Sequence, residues 1–150
     1  MNHNSPHLMV IFMGQNGGYD GSWDDLILSH KRMIEHSNAK HTIILGITSG
    51  STQTPSFVEY ERKMKETFGR YFLCIREYIT TPVKDNSDNI VSCYGLEDAG
   101  LTATAEDIEY ISQGKVPPQL LQDSIHYNSY GKTVIGNYIY SVCCDLGIFS

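Results

Sequence analysis

Unbroken apolar runs alternate with segments of helical period along this chain, and that alternation narrows the fold more than any other feature. Leu8-Met9-Val10-Ile11-Phe12-Met13 is a continuous apolar run ended by Gly14. It lacks the polar alternation of a half-exposed strand, so it reads as a parallel-sheet strand covered on both faces. Ser22 is placed to cap a helix. Asp24 and Asp25 sit in its first turn, favourable at the positive end of the dipole, and Leu26, Ile27, His30, Met33 and Ile34 recur at helical spacing. The pattern then repeats. Thr42-Ile43-Ile44-Leu45-Gly46-Ile47 is a second strand, residues 48–54 are a loop, and Pro55 stands where a first helical turn accepts proline. Phe57, Tyr60, Glu61, Met64 and Phe68 follow at three-to-four spacing, Gly69 is a C-terminal stop, and Tyr71-Phe72-Leu73-Cys74-Ile75 is a third strand.

Strands separated by helices imply βαβ units, and right-handed crossovers in sequential order put both helices on one face of the sheet. The expected class is α/β in a single domain over residues 1–150, because 150 residues with 41% hydrophobic side chains bury one core of ordinary size rather than two. Residues 80–122 carry no strong period. Within them the polar cluster Lys84, Asp85, Asn86, Ser87, Asp88 and Asn89 predicts a turn, and residues 104–113 a short helix capped by Thr104 with Asp107 in its first turn. Val134, Ile135, Tyr138, Ile139, Val142, Cys143 and Leu146 then mark one side of a terminal helix ending near Gly147, available to cover the open face of the sheet. One edge of the strand Leu8-Met13 has no partner in this reading. A wholly apolar edge is a liability, so a second copy of the chain, a partner polypeptide or a further amino-terminal segment is expected to pair there.

Charge and composition exclude several function classes. Eleven Lys+Arg against seventeen Asp+Glu give a net charge of -6 with no basic stripe, which argues against nucleic acid as a partner. The longest apolar run is far short of the roughly 18 residues of a membrane span. No secretion signal is present, so the expected compartment is the cytoplasm, although a removed leader or a longer parent chain would leave the same sequence outside the cell. Cys74, Cys93, Cys143 and Cys144 lack paired C-x-x-C spacing and read mostly as buried thiols; His3, His7, His30, His36 and His41 lack metal-ligand spacing. No metal and no cofactor are expected.

Two motifs carry chemistry. In Asp123-Ser124-Ile125-His126 a carboxylate three residues before an imidazole can, in a turn, hydrogen-bond the ring Nδ1 and leave Nε2 as a general base; the bland alternative is a helix-capping Asp beside a surface His. Gly14-Gln15-Asn16-Gly17-Gly18 follows the first strand, where open α/β sheets bind ligands, and Asn16 can aim an amide N–H at a developing oxyanion. A turn that needs positive φ explains the same residues.

Together, strand-G-x-N early, D-x-x-H followed by Asn128 and Gly131, and a terminal amphipathic helix resemble the third and fifth sequence blocks of the SGNH, or GDSL-type, serine hydrolases. The stretches Asp98-Ala99-Gly100 and Gln113-Gly114-Lys115-Val116-Pro117 are also similar to the lead into D-x-x-H in some bacterial and phage-associated members. The resemblance covers the carboxyl-terminal half to two-thirds of the family domain. It implies a three-layer, flavodoxin-like α/β/α fold, incomplete at its amino-terminal side, and a small-molecule or carbohydrate ester as substrate. By the same resemblance Asn16 and Gly14 serve the oxyanion hole, Asp123 orients the base, and His126 is that base. The G-D-S block with the nucleophilic serine, and the block with the oxyanion glycine, are missing ahead of Gly14, and Gly17 stands where many members carry Asp. A missing serine-bearing strand would also account for the bare edge of the first strand. The nucleophile is then expected from a missing segment or partner. The alternative is a catalytically inactive module of the same scaffold that dimerises through the open edge.

Other readings stay open beside these. Ser49 or Ser51 in Thr48-Ser49-Gly50-Ser51-Thr52 is a nucleophile candidate, the same loop is a candidate anion or nucleotide site, and an ordinary polar loop explains it too. Tyr127 and Tyr130 either line a pocket beside His126 or pack. Trp23 either rims the Asn16 loop or anchors its helix.

Overall fold

The structure is a computed structural model that describes residues 6–17, 21–47 and 55–149. The chain divides into two compact units, one holding the described residues through 47 together with 55–74, the other those from 75 onward. The candidate loop Thr48-Ser49-Gly50-Ser51-Thr52 lies outside the described residues.

In the first unit three parallel strands, β1 (Leu8–Ile11), β2 (His41–Leu45) and β3 (Phe72–Leu73), pair in the order β1-β2-β3, with Leu8 opposite His41 and Leu45 opposite Leu73. Helix α1 (Trp23–Ser37) connects the first pair and helix α2 (Pro55–Phe68) precedes the third strand. As the crossover rule requires, both helices pack on one sheet face: Leu26 and Ile27 of α1 and Phe57, Tyr60 and Met64 of α2 share a core with Ile11, Ile44 and Phe72. Each such apolar side chain, fully buried, contributes roughly 1.5–3 kcal/mol. Ser22 caps α1 as expected, its Oγ accepting from the Asp25 N–H at 3.1 Å. The buried Tyr60 hydroxyl accepts from the Ile47 N–H at 3.1 Å and fixes the chain where it leaves β2.

Two strands are shorter than their apolar runs. β1 stops at Ile11, and Val10, Phe12 and Met13 are 45%, 52% and 56% exposed, so this strand is not covered on both faces. With the helices on one face only, alternate residues of an edge strand point away from their core, and Met9 and Ile11 take the inward positions. β3 keeps two residues of the expected five, because Tyr71 closes a 3-10 turn and Ile75 begins a helix. His30, on the inner side of α1, is fully buried against the Phe68 ring, and neither ring nitrogen makes a well-formed hydrogen bond among the described residues. Burial holds this imidazole below its ordinary 6.5, and the Met13 backbone opposes that only in part.

The second unit begins with α3 (Ile75–Thr80) and an antiparallel hairpin of β4 (Pro82–Lys84) and β5 (Ile90–Cys93). Its turn falls on the predicted polar cluster: the Asp85 carboxylate accepts from the Ser87 and Asn89 N–H groups at 2.8 and 3.0 Å. Helices α4 (Tyr94–Ala99), α5 (Ala105–Ser112) and α6 (Ser129–Asp145) follow, with a 3-10 turn at Pro118–Leu120. Ile79, Leu96, Ile111, Val116, Leu120, Val134 and Cys143 are among its buried apolar side chains. Cys74, Cys93 and Cys143 are buried thiols, Cys93 pushed up to about 11 chiefly by burial, while Cys144 is exposed. Taken together this is a mixed α/β chain with a three-stranded parallel sheet. No helix among the described residues is long and apolar enough to cross a membrane.

Candidate active site

The Asp123–His126 motif folds into the arrangement its spacing allows. Asp123 Oδ1 accepts from the Ile125 and His126 backbone N–H groups at 2.8 and 2.7 Å, and Oδ2 lies 2.8 Å from His126 Nδ1. The His126 backbone bond first, then its ring, then the Ile125 N–H pull the Asp123 carboxyl down from 3.8 to about 2. An ionised carboxylate only accepts hydrogen bonds, so Nδ1 must carry the hydrogen, and in the neutral ring Nε2 is then the basic nitrogen. Both side chains are exposed, at 50% for Asp123 and 73% for His126.

Residues 121–127 hold this pair in a closed loop. Leu121 bridges Tyr127 in antiparallel fashion, the Gln122 N–H donates to the His126 carbonyl at 2.7 Å, and the Asn128 N–H donates to the Leu120 carbonyl at 3.1 Å. Asn128 closes the base. Its Nδ2 donates to the Gln119 and Leu121 carbonyls at 2.8 and 3.2 Å, while its Oδ1 accepts from the Gly131 N–H at 3.1 Å and caps α6. Gly131 is required by space: a Cβ there would stand 2.5 Å from both the Leu120 carbonyl oxygen and Tyr127 Cδ1. Tyr127 is buried in that contact, whereas Tyr130 is half exposed. A cleft of about 320 Å³ opens beside Asp123, lined by Tyr110, Pro118 and Leu121 with Glu106, Gln122 and Ser124.

A second polar cluster, centred on Asp107, is tied to the base of the loop through Gln119. Asp107, fully buried, forms the expected capping box with Thr104, accepting at Oδ2 from the Thr104 N–H at 2.9 Å and Oγ1 at 2.6 Å. The same carboxylate takes two bonds from Gln119, Nε2 at 2.6 Å and the backbone N–H at 3.3 Å. Burial works to raise this carboxyl, yet the Thr104 and Gln119 bonds outweigh it and hold the group below its ordinary value. Capping was legible from the Thr104-x-x-Asp107 spacing; the tie to Gln119, twelve residues on, was not.

Gly14 and Asn16 lie in the first unit, Asp123 and His126 in the second. Gly14 has φ +106°, and a Cβ would meet both Leu26 methyl groups at 3.0 Å, so turn geometry and core packing both demand glycine. The Gly17 N–H donates to the Gly14 carbonyl at 3.3 Å, and Asn16 is exposed in that turn with no side-chain hydrogen bond among the described residues. Trp23 packs on Tyr60 with ring centroids 4.9 Å apart and donates from Nε1 to Ser56 Oγ at 3.0 Å, which anchors the start of α1 against α2. Compared with models of protein families, with curated proteins and with solved structures, the chain has no match.

Proposed function

We propose that this chain supplies the base and oxyanion elements of an SGNH-type ester hydrolase, built on a three-layer flavodoxin-like fold. The observation that carries the reading is the 2.8 Å contact of Asp123 Oδ2 with His126 Nδ1, which leaves Nε2 as a proton acceptor. In the reaction a serine Oγ attacks the acyl carbon as His126 Nε2 takes its proton, and the resemblance assigns the oxyanion to Asn16 Nδ2 and the Gly14 N–H. Collapse expels the alcohol, which recovers that proton, and water then cleaves the acyl-serine by the same base. The serine comes from a segment or partner beside β1, or from Ser49 or Ser51. A small or carbohydrate ester in acyl or acetyl linkage is the substrate class.

The test is intact-mass labelling with a fluorophosphonate probe alongside hydrolysis of p-nitrophenyl acetate. A single adduct abolished by His126→Ala supports the reading, and peptide mapping names the serine. A folded chain that neither labels nor hydrolyses the ester removes Ser49 and Ser51 and leaves the nucleophile on a missing segment or partner, or the site abandoned; an experimental structure with Asn16 and the Asp123–His126 pair on opposite sides of the sheet overturns the reading. The second reading then stands: a non-catalytic module pairing with a second copy along β1. It is favoured by Val10, Phe12 and Met13, which are 45–56% exposed on or beside a strand that ends the sheet order. A monomer at high concentration in sedimentation would count against that alternative.

A further inference from the structure

The hydrogen bonds from α5 to α6 form one continuous chain that ends two residues from the candidate base. Asp107 holds Gln119 by two bonds, and Gln119 Nε2 also donates to the Thr102 carbonyl at 2.9 Å. The Gln119 carbonyl accepts from Asn128 Nδ2, and Asn128 stands two residues after His126. We infer that Asp107, Gln119 and Asn128 are positioning residues for His126: the buried carboxylate fixes Gln119, Gln119 fixes Asn128, and Asn128 sets the base of the loop that presents the imidazole. This role rests on the reading of His126 as general base.

Three features separate positioning from ordinary capping. The reciprocal bonds with Thr104 already complete the capping box of α5, yet Asp107 also takes both Gln119 bonds, which do nothing for that helix. Asn128 likewise needs only Oδ1 to cap α6, and its Nδ2 is spent on two carbonyls of the segment entering the loop. The burial is graded to match, with Asp107 fully enclosed, Gln119 and Asn128 half-buried, and His126 exposed. An exposed ring on a seven-residue loop keeps one orientation only if the base of that loop is fixed from inside.

The cap and the tie can be cut apart. Asn128→Ser keeps a strong, neutral N-cap oxygen for the Gly131 N–H but is too short to reach the Gln119 and Leu121 carbonyls. Gln119→Leu keeps volume and removes the Nε2 donor. Thr104→Ala is the control, weakening the α5 cap while the Asp107 to Gln119 bonds remain. The readout is the His126 ring by long-range ¹H–¹⁵N correlation at neutral pH, which reports the tautomer directly, with melting temperature recorded for each variant.

Wild type and Thr104→Ala are expected to show one Nδ1–H tautomer. Asn128→Ser and Gln119→Leu are expected to show mixed tautomers and a broadened ring, even where their melting temperatures match that of Thr104→Ala. Unchanged ring signals in both tie variants would overturn the inference, since Asp123 alone would then hold the ring. If either variant fails to fold, the other carries the test, and identical ring changes in Thr104→Ala would also overturn it. Ester hydrolysis on the same samples keeps the two readings apart: tautomer loss without wild-type turnover retains the positioning and removes a hydrolase complete in this chain, while turnover with unchanged tautomers does the reverse.

Discussion

Two short turns carry the residues of the proposed site, and they are held by opposite means. Residues 121–127 are closed by a backbone bridge, by three bonds on Asp123 and by the clamp of Asn128. Among the described residues, 14–17 show one backbone bond, at 3.3 Å, and their shape comes from the positive φ of Gly14 beside Leu26. The first turn is specified by polar chemistry, the second by sterics. A base must keep one tautomer and one direction, which hydrogen bonds to specific atoms can impose. An amide donor needs only to be presented, and a glycine-shaped turn over a packed helix does that.

The largest effect that can break this comparison is catalytic. His126→Ala should lower ester hydrolysis by about 10²–10⁴-fold, the usual contribution of a general base, with little change in melting temperature because the ring is exposed. Asn16→Ala should follow at about 10²-fold, chiefly in kcat, as for loss of one oxyanion donor. Steady-state kinetics with p-nitrophenyl acetate checks both. Equal rates for Asn16→Ala and the parent would leave residues 14–17 as a structural turn and place the chemistry in the second unit alone.

Next in size are the two glycines. Gly131→Ala drives a Cβ into a backbone carbonyl and a buried ring, and overpacking of this kind costs about 1–3 kcal/mol, with the upper end expected where backbone must move. Gly14→Ala meets flexible Leu26 methyl groups, so its cost is mainly the positive φ, about 1–2 kcal/mol. Urea denaturation should therefore rank Gly131→Ala as the more damaging. The reverse order would mean that sterics govern residues 14–17 more strongly than polar closure governs residues 121–127.

The two units should also differ in acid. His30 is neutral and buried, and the unfolded chain takes up a proton near 6.5 that the folded ring resists, so stability in the first unit falls as pH drops below that value. Trp23 is the single tryptophan and packs on Tyr60 in this unit, so its emission reports unfolding there. The urea midpoint should fall between pH 7.5 and 5.5, and His30→Leu should flatten that slope. An identical slope in His30→Leu would assign the acid sensitivity to other groups.

What could be read in the residues follows from how local the signal is. β2, α1 and α2 announce themselves by apolar runs and helical period, and the Asp123–His126 contact and the Thr104 cap close within three residues of sequence. α3 and α4 have six residues each, too few to display a period, and β4 and β5 have three and four, so their region looked patternless. Phe12 and Met13 extend the apolar run past the end of β1 because hydrophobicity does not mark where pairing stops. The Asp107 to Gln119 to Asn128 chain spans contacts twelve and nine residues apart between residues of unremarkable type, and only the fold brings them together.

The smallest effect is the acid limit of the Asp123 loop, and it sharpens the contrast from the polar side. The folded carboxyl sits at about 2 against an ordinary 3.8, so the stability it contributes is present above about 3.8 and is lost as pH falls through about 2. This direction matches that of His30, yet the window lies well below it. Asp123→Asn should remove that low-pH slope, because the amide carbonyl still accepts the Ile125 and His126 N–H groups at every pH. Its NH₂ now faces Nδ1, which must become the acceptor, so the hydrogen moves to Nε2 and the base is lost. The variant should fold as the parent at pH 7 and show the Nε2–H tautomer with activity reduced about as far as in His126→Ala. Retained Nδ1–H in Asp123→Asn would show the loop backbone, rather than the carboxylate, to be what selects the tautomer.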